Sequence, residues 1–229
     1  MTMSSKKCSY CSSSILDLLR INILEAALPY IPYDGWTRKS LIKGACSVGY
    51  AAADVDIAFP LGVREAVMCW LSLIDASMES DVLAYDLVEL RIREKVALSV
   101  RLRLEKTLPY KEVMRRALSF MCIPSNMNIL TSSFFNTADR IWLISGDTSN
   151  DYTYYTRRIL VAVVLSSTLI YWLDDNSDNH TDTWAFLNRS IDDVMGLSKV
   201  ISKLKVFGSS LPNRGRFSRA WHAWYNKIS

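Results

Sequence analysis

Few stretches of this chain hold residue types able to do chemistry. Asp147, Ser149 and Asp151 alternate as the first ligands of a calcium loop would. Tyr152 stands where the turn glycine is required, and Arg158 where a bidentate Glu is required. Gly146-Asp147-Thr148-Ser149 could open a serine-nucleophile loop, but the serine comes one place late and no Asp-x-x-His accompanies it. Asp174, Asp175, Asp178 and Asp182 could gather a divalent ion; helix caps in a solvated loop are the simpler reading. The only histidines, His180 and His222, are far apart in sequence, which thins out Ser-His-Asp and metal-hydrolase chemistry. No Glu-x-x-His, Walker or Gly-x-Gly-x-x-Gly pattern is present. No catalytic or metal-binding residue is assigned, and the chain is expected not to be an enzyme.

Two other stretches carry recognition chemistry. Asp151 to Arg158 (Asp-Tyr-Thr-Tyr-Tyr-Thr-Arg-Arg) puts three tyrosines and two arginines on the first turns of a helix. Arg157 and Arg158 oppose the macrodipole there, so a carboxylate should compensate them. They form either an internal brace or part of a docking patch, since Tyr and Arg are hot-spot residues. In the tail, Phe217, Trp221, Trp224 and Ile228 share one helical face, at offsets of four, seven and eleven. Arg216, Arg219 and Lys227 lie on the other. Aromatics opposite a basic face describe a helix lying in a membrane interface, or one docking on its own domain or a second subunit. Gly208 to Gly215 is the clearest linker and precedes it.

Composition limits what can position these groups. The chain has 229 residues, half of them apolar and 22% charged, so most of it should fold. Gly (8) and Pro (6) are too scarce for a turn-rich all-β protein, which favours helices. The net charge is +4, but the seven Lys/Arg after residue 193 face no acid, and residues 1–193 sum to −3. The whole chain is therefore not a basic nucleic-acid binder. Five scattered cysteines, Cys8, Cys11, Cys46, Cys69 and Cys122, suit a reducing compartment, with the Cys8–Cys11 spacing read as chance. The start lacks the apolar core of a signal peptide, and a mitochondrial presequence is not favoured. The longest uncharged run, Ile159 to Leu173, is short for a membrane span and contains Ser166, Ser167 and Thr168, so it reads as a buried core helix.

Periodicity predicts an all-α chain. A first helix over 15–33 is ended by Pro29 and Pro32, Thr37 caps a second, and a short third covers about 50–59. The Gly-containing turn before the third gives helix-turn-helix spacing. A DNA-reading helix needs Lys or Arg for phosphates and Arg, Asn or Gln for bases; this one offers Asp54 and Asp56. Further helices are predicted over about 63–78, 83–106, 110–122, 125–144, 151–174, 182–205 and 216–228. Residues 97–105 also alternate with a period of two, but a lone strand would have no partner, so helix is preferred.

These residues resemble a known family. Ile23 to Leu28 with Asp34-Gly-Trp-Thr37 resembles the opening of TetR-type proteins. Gly146-Asp-x-Ser-x-Asp151, Tyr155-Thr-Arg-Arg158, Asp182-Thr-Trp-x-Phe-Leu187 and Asp192-Asp-Val-Met195 together resemble the coenzyme Q biosynthesis family numbered nine, whose members are TetR-fold lipid-binding accessory proteins. The resemblance runs over about 15–205, and its block 146–195 is the specific part. It implies an all-helical homodimer with a vestigial helix-turn-helix and a hydrophobic pocket for a phospholipid or polyprenyl quinone. It also implies a surface for the di-iron demethoxyubiquinone hydroxylase and a C-terminal amphipathic helix for an anionic membrane. Carried over by position, the partner surface includes Ile141, Trp142, Asp151, Tyr154 and Tyr155, braced by Arg157 and Arg158. The family often has Trp where this chain has Tyr154.

The expected organisation is a tail over 1–14, a helix-turn-helix module over 15–60, a lipid-binding domain over 61–206 and the membrane segment over 207–229. Candidate pocket walls are the large apolar residues Met114, Leu118, Met121, Leu130, Phe134, Val161, Leu165 and Leu169. No cofactor is expected beyond the bound lipid, and no nucleic acid. The expected location is the cytoplasmic face of a bacterial inner membrane, or alternatively the matrix side of the mitochondrial inner membrane. The rival function is a TetR-type regulator sensing a hydrophobic ligand.

Overall fold

The structure is a computed structural model describing residues 15–146 and 153–207, with side chains described for 15–146 and 155–194. Every regular element among them is helical. Helix α1 (Ile15–Ala27) buries Ile23, Leu24 and Ala27. Its ladder closes with the Leu28 N–H on the Leu24 carbonyl, because Pro29 has no N–H to continue it. The single helix expected over 15–33 is thus two. Pro32 lies in the first turn of a short α2 (Ile31–Asp34), where a missing N–H costs nothing.

Thr37 caps α3 (Arg38–Ser47) as predicted. Its hydroxyl accepts from the Ser40 N–H at 3.2 Å while Ser40 Oγ accepts from the Thr37 N–H at 3.2 Å. Gly44 lets α3 approach α1 backbone to backbone: a Cβ there would lie 2.6 Å from Ala27 Cα. In α4 (Ala52–Ala58), Asp54 turns back to accept from the Ala51 N–H at 2.8 Å. Two links tie this module to the next layer. Arg20 donates to the Ala58 carbonyl (2.7 Å) and to Glu65 (2.6 Å). The buried Trp36 ring lies 5.5 Å from that of Trp70 and donates to the Val113 carbonyl at 3.3 Å.

The larger layer comprises α5 (Val63–Leu83), α6 (Ile92–Thr107), α7 (Lys111–Met121), α8 (Met127–Ile144), α9 (Thr153–Asp174) and α10 (Thr181–Phe207). Residues 84–91 break what the sequence reads as one helix over 83–106, and α6 absorbs the stretch of period-two alternation. Helix α6 packs against α5, α8 and α9. Its Arg103 is buried and donates to Asp75 of α5 at 2.8 Å; the other Asp75 oxygen accepts from Thr137 of α8 at 2.7 Å. The chain divides into two compact units, Met1–Ile191 and Asp192–Ser229. The first unit holds the N-terminal module, α5 to α9 and α10 as far as Ile191.

Helix α9 is long and apolar enough to cross a membrane by length and composition. Its Val161, Val164, Leu165, Leu169 and Trp172 are nonetheless buried and α8 packs along it, as in a core helix. After α9, Asp175 accepts from the N–H groups of Ser177 (2.7 Å) and Thr183 (3.0 Å) and from the Thr183 hydroxyl. The candidate acidic set is therefore partly spent on starting α10.

Two consequences can be measured. Gly44→Ala should destabilise the domain by about 1–3 kcal/mol, because α1 and α3 must separate to admit the methyl group; urea unfolding would show it. Burial alone would raise the Asp175 pKa, but the hydrogen bonds from Thr183 and Ser177 outweigh it and hold the carboxyl well below its usual range. A carboxyl that ionises more readily folded than unfolded stabilises fully above about pH 4, and that contribution is lost as pH falls further. Asp175→Asn should lower the melting temperature at neutral pH and flatten its decline below about pH 4.

Candidate ligand core and partner surface

The eight candidate wall residues fall into two groups. Met114 and Met121 on α7, with Val161, Leu165 and Leu169 on α9, are buried at 5% exposure or less. Leu118, Leu130 and Phe134 are only half-buried. Leu130, Phe134, Thr137 and Ile141 share one face of α8, at offsets of four, seven and eleven. Helix α8 packs against both α7 and α9, so walls from all three helices belong to one helical cluster. Ser133 Oγ lies 3.9 Å from Met121 Sδ across the α7–α8 contact. Lys111 and Arg115 of α7 donate to the Asp175 and Leu173 carbonyls (2.8 and 2.6 Å), fixing α7 to the end of α9.

The expected partner surface has a buried base and a more exposed rim. Arg158 is buried and paired through Nε with Asp139 of α8. This is the carboxylate that its place near a helix N-terminus demanded, and for Arg158 the brace is the reading that holds. The Arg157 guanidinium lies over the Trp142 ring, 5.8 Å from its centroid. Ile141 is fully buried and Trp142 nearly so, because both sit on the inward side of α8. Neither is laid out as open surface; they support what lies above them. Tyr155 and Arg157 are half-buried. Asp151 and the side chain of Tyr154 lie outside the described residues, as does all of the expected membrane helix: Arg216, Phe217, Arg219, Trp221, Trp224, Lys227 and Ile228. Sequence reasoning did not find Asp139 as the partner of Arg158, or the buried Arg103–Asp75–Thr137 group. The first was within reach, since α8 and α9 were expected as neighbours.

The helix-turn-helix spacing is present, but its exposed charges pair with one another. Arg38 makes two hydrogen bonds to Asp56 (3.0 and 2.7 Å), and Lys43 pairs with Asp34. The cations of α3 that could touch phosphates are thus partly neutralised within the module. Exposed Ile57 and Leu61 flank the end of α4.

Comparison with known proteins places this geometry. The COQ9 family model matches residues 127–198, which take in α8, α9 and the start of α10. The chain is 32% identical over 197 residues to the rat mitochondrial ubiquinone biosynthesis protein COQ9, covering 82% of this chain and 62% of that protein. It is 30% identical to the human protein of that name (84% and 63%) and 32% identical to the Drosophila melanogaster one (82% and 59%). It spans about three-fifths of the length of these relatives. Among solved structures, a TetR transcriptional regulator from Nitrosomonas europaea superposes with a TM-score of 0.63 at 14% identity, covering 78% of this chain and 98% of that one. That likeness shows a TetR-like fold. On that fold, residues 127–198 match the COQ9 family model, and about four-fifths of the chain is similar in sequence to the COQ9 ubiquinone biosynthesis proteins.

Proposed function

We propose that this protein is a non-catalytic, lipid-binding accessory protein of ubiquinone biosynthesis. It takes quinone intermediates part-way out of the membrane and presents them to the demethoxyubiquinone hydroxylase. The observation that carries the reading is the place of the family match: it covers α8 and α9, the helices that hold both the braced Tyr/Arg patch and five of the eight apolar walls. A polyprenyl quinone is nearly insoluble, so a soluble domain handling it needs an apolar interior. Met114, Met121, Val161, Leu165 and Leu169 supply such an interior, and the half-buried Leu118, Leu130 and Phe134 lie at its margin. The tail, Arg216 to Ile228, would keep the protein at an anionic surface.

Homodimer formation belongs to the same proposal. Ile159, Val163 and Ile170 are all more than half exposed and share a face of α9, at offsets of four and eleven. Of the two expected locations, the relatives' names favour the mitochondrion, and we place the protein on the matrix side of the inner membrane. The regulator reading is the weaker one. Asp54 caps α4, Asp56 holds Arg38, and no base-reading side chain takes their place.

Removing Tyr155 tests the docking patch. Tyr155→Ala should weaken the complex with the hydroxylase by about 1–2 kcal/mol and leave the melting temperature nearly unchanged. Asp139→Ala should instead cost about 1.5–3 kcal/mol of fold stability, because it takes a carboxylate from the buried Arg158. Normal hydroxylase binding by the Tyr155 variant would remove the patch from the partner surface. Tight, sequence-selective DNA binding at physiological salt would restore the regulator reading.

A further inference from the structure

The interior of the α5–α9 layer is not purely apolar. Arg103 is 2% exposed, and it meets Asp75 through Nε alone. The second Asp75 oxygen is taken by the Thr137 hydroxyl. A carboxylate facing a guanidinium usually accepts from two of its nitrogens; here Thr137 occupies the place of the second contact. Arg103 Nη1 is left buried, with no hydrogen-bond partner among the described residues. A buried donor of this kind is costly unless an acceptor reaches it.

The helices packed against α6 carry candidate walls and a second unpaired polar group. Thr137 lies on the face of α8 that carries Leu130 and Phe134, two of the half-buried walls. Helix α6 also packs against α9. There Thr168 sits between Leu165 and Leu169, fully buried, and its hydroxyl has no partner either. Apolar walls with a few buried, unpaired polar groups are the composition of a small-molecule site.

The charge balance fixes the class of ligand. Asp75 already neutralises Arg103, so an anionic head group would leave a net negative charge in the core, at a high desolvation cost. An uncharged oxygen acceptor carries no such cost. We propose that Arg103 Nη1 is the head-group recognition donor of this domain, and that it selects a lipid bearing a neutral carbonyl-type oxygen, such as a quinone ring, over a phosphate head. The proposal rests on the lipid-binding reading above and adds to it the residue that sets specificity.

Calorimetric binding of three probes to the full chain tests it: a short-tailed ubiquinone, an isoprenyl phosphate and an isoprenoid hydrocarbon, all of equal tail length. The unmodified protein should bind the quinone on the order of tenfold or more tightly than either other probe, the effect of one hydrogen bond to a charged donor. Arg103→Lys keeps the charge against Asp75 but loses the fork's second arm. It should bind the quinone no better than the hydrocarbon while holding the hydrocarbon as before. The double variant Asp75→Asn with Arg103→Gln removes both charges together, so no lone buried ion threatens folding, and it should behave the same way. Equal binding of quinone and hydrocarbon by the unmodified protein, or full quinone selectivity in both variants, would overturn the proposal and leave Nη1 to a buried water. Preference for the phosphate would overturn the charge argument. Failure to bind any probe would overturn the lipid reading itself.

Discussion

A guanidinium inside a helical layer survives only if its charge is met on the spot, and Arg103 is met by Asp75 with Thr137 behind it. These three residues come from α6, α5 and α8, so one polar contact fixes the mutual position of the helices around which the layer is built. Helix α9 then packs on α8 and α6, and α7 is tied to the end of α9 by Lys111 and Arg115. A purely apolar packing could be about as stable, but a buried ion pair penalises every register in which its partners miss each other. The surface patch on α8 and α9 inherits this order: Arg158 is pinned to Asp139, and Arg157 lies over Trp142.

The N-terminal module keeps a helix-turn-helix spacing while its exposed charges pair with one another. Trp36 is sunk against Trp70 and Val113, and Arg20 joins α1 to α4 and α5. The module is thereby attached to α7, which carries three of the eight candidate walls. Its outward charges close on each other in Arg38–Asp56 and Lys43–Asp34. A solved TetR regulator and this chain share the backbone arrangement at 14% identity, a likeness of fold and not by itself of function.

Local chemistry made much of this legible. The Thr37 cap, the ends of α7 and α8 and the helical reading of 97–105 all follow from short-range signals and stand in the structure. Pro29 and Pro32 marked a break, but not that Pro32 would open a new helix. Residues 84–91 hide a break because they are as apolar as the helices they join. The least legible residue was Arg103. In sequence it alternates with Arg101 and Glu105 as part of a solvated face, and only the distant Asp75 and Thr137 make its burial affordable. The same limit applies to Ile141: a match by position says which residues occupy a patch, while its depth is set by packing of α8 that no spacing encodes.

The central claim is that the chain moves a membrane-held quinone precursor to an enzyme that cannot reach it alone. The most direct measurement is hydroxylase turnover on demethoxyubiquinone embedded in anionic vesicles, with and without the full chain. The account predicts that turnover rises with added protein and saturates as the hydroxylase is occupied, while turnover on a short-tailed, soluble quinone is unaffected. Equal turnover on the embedded substrate with and without the protein would contradict it.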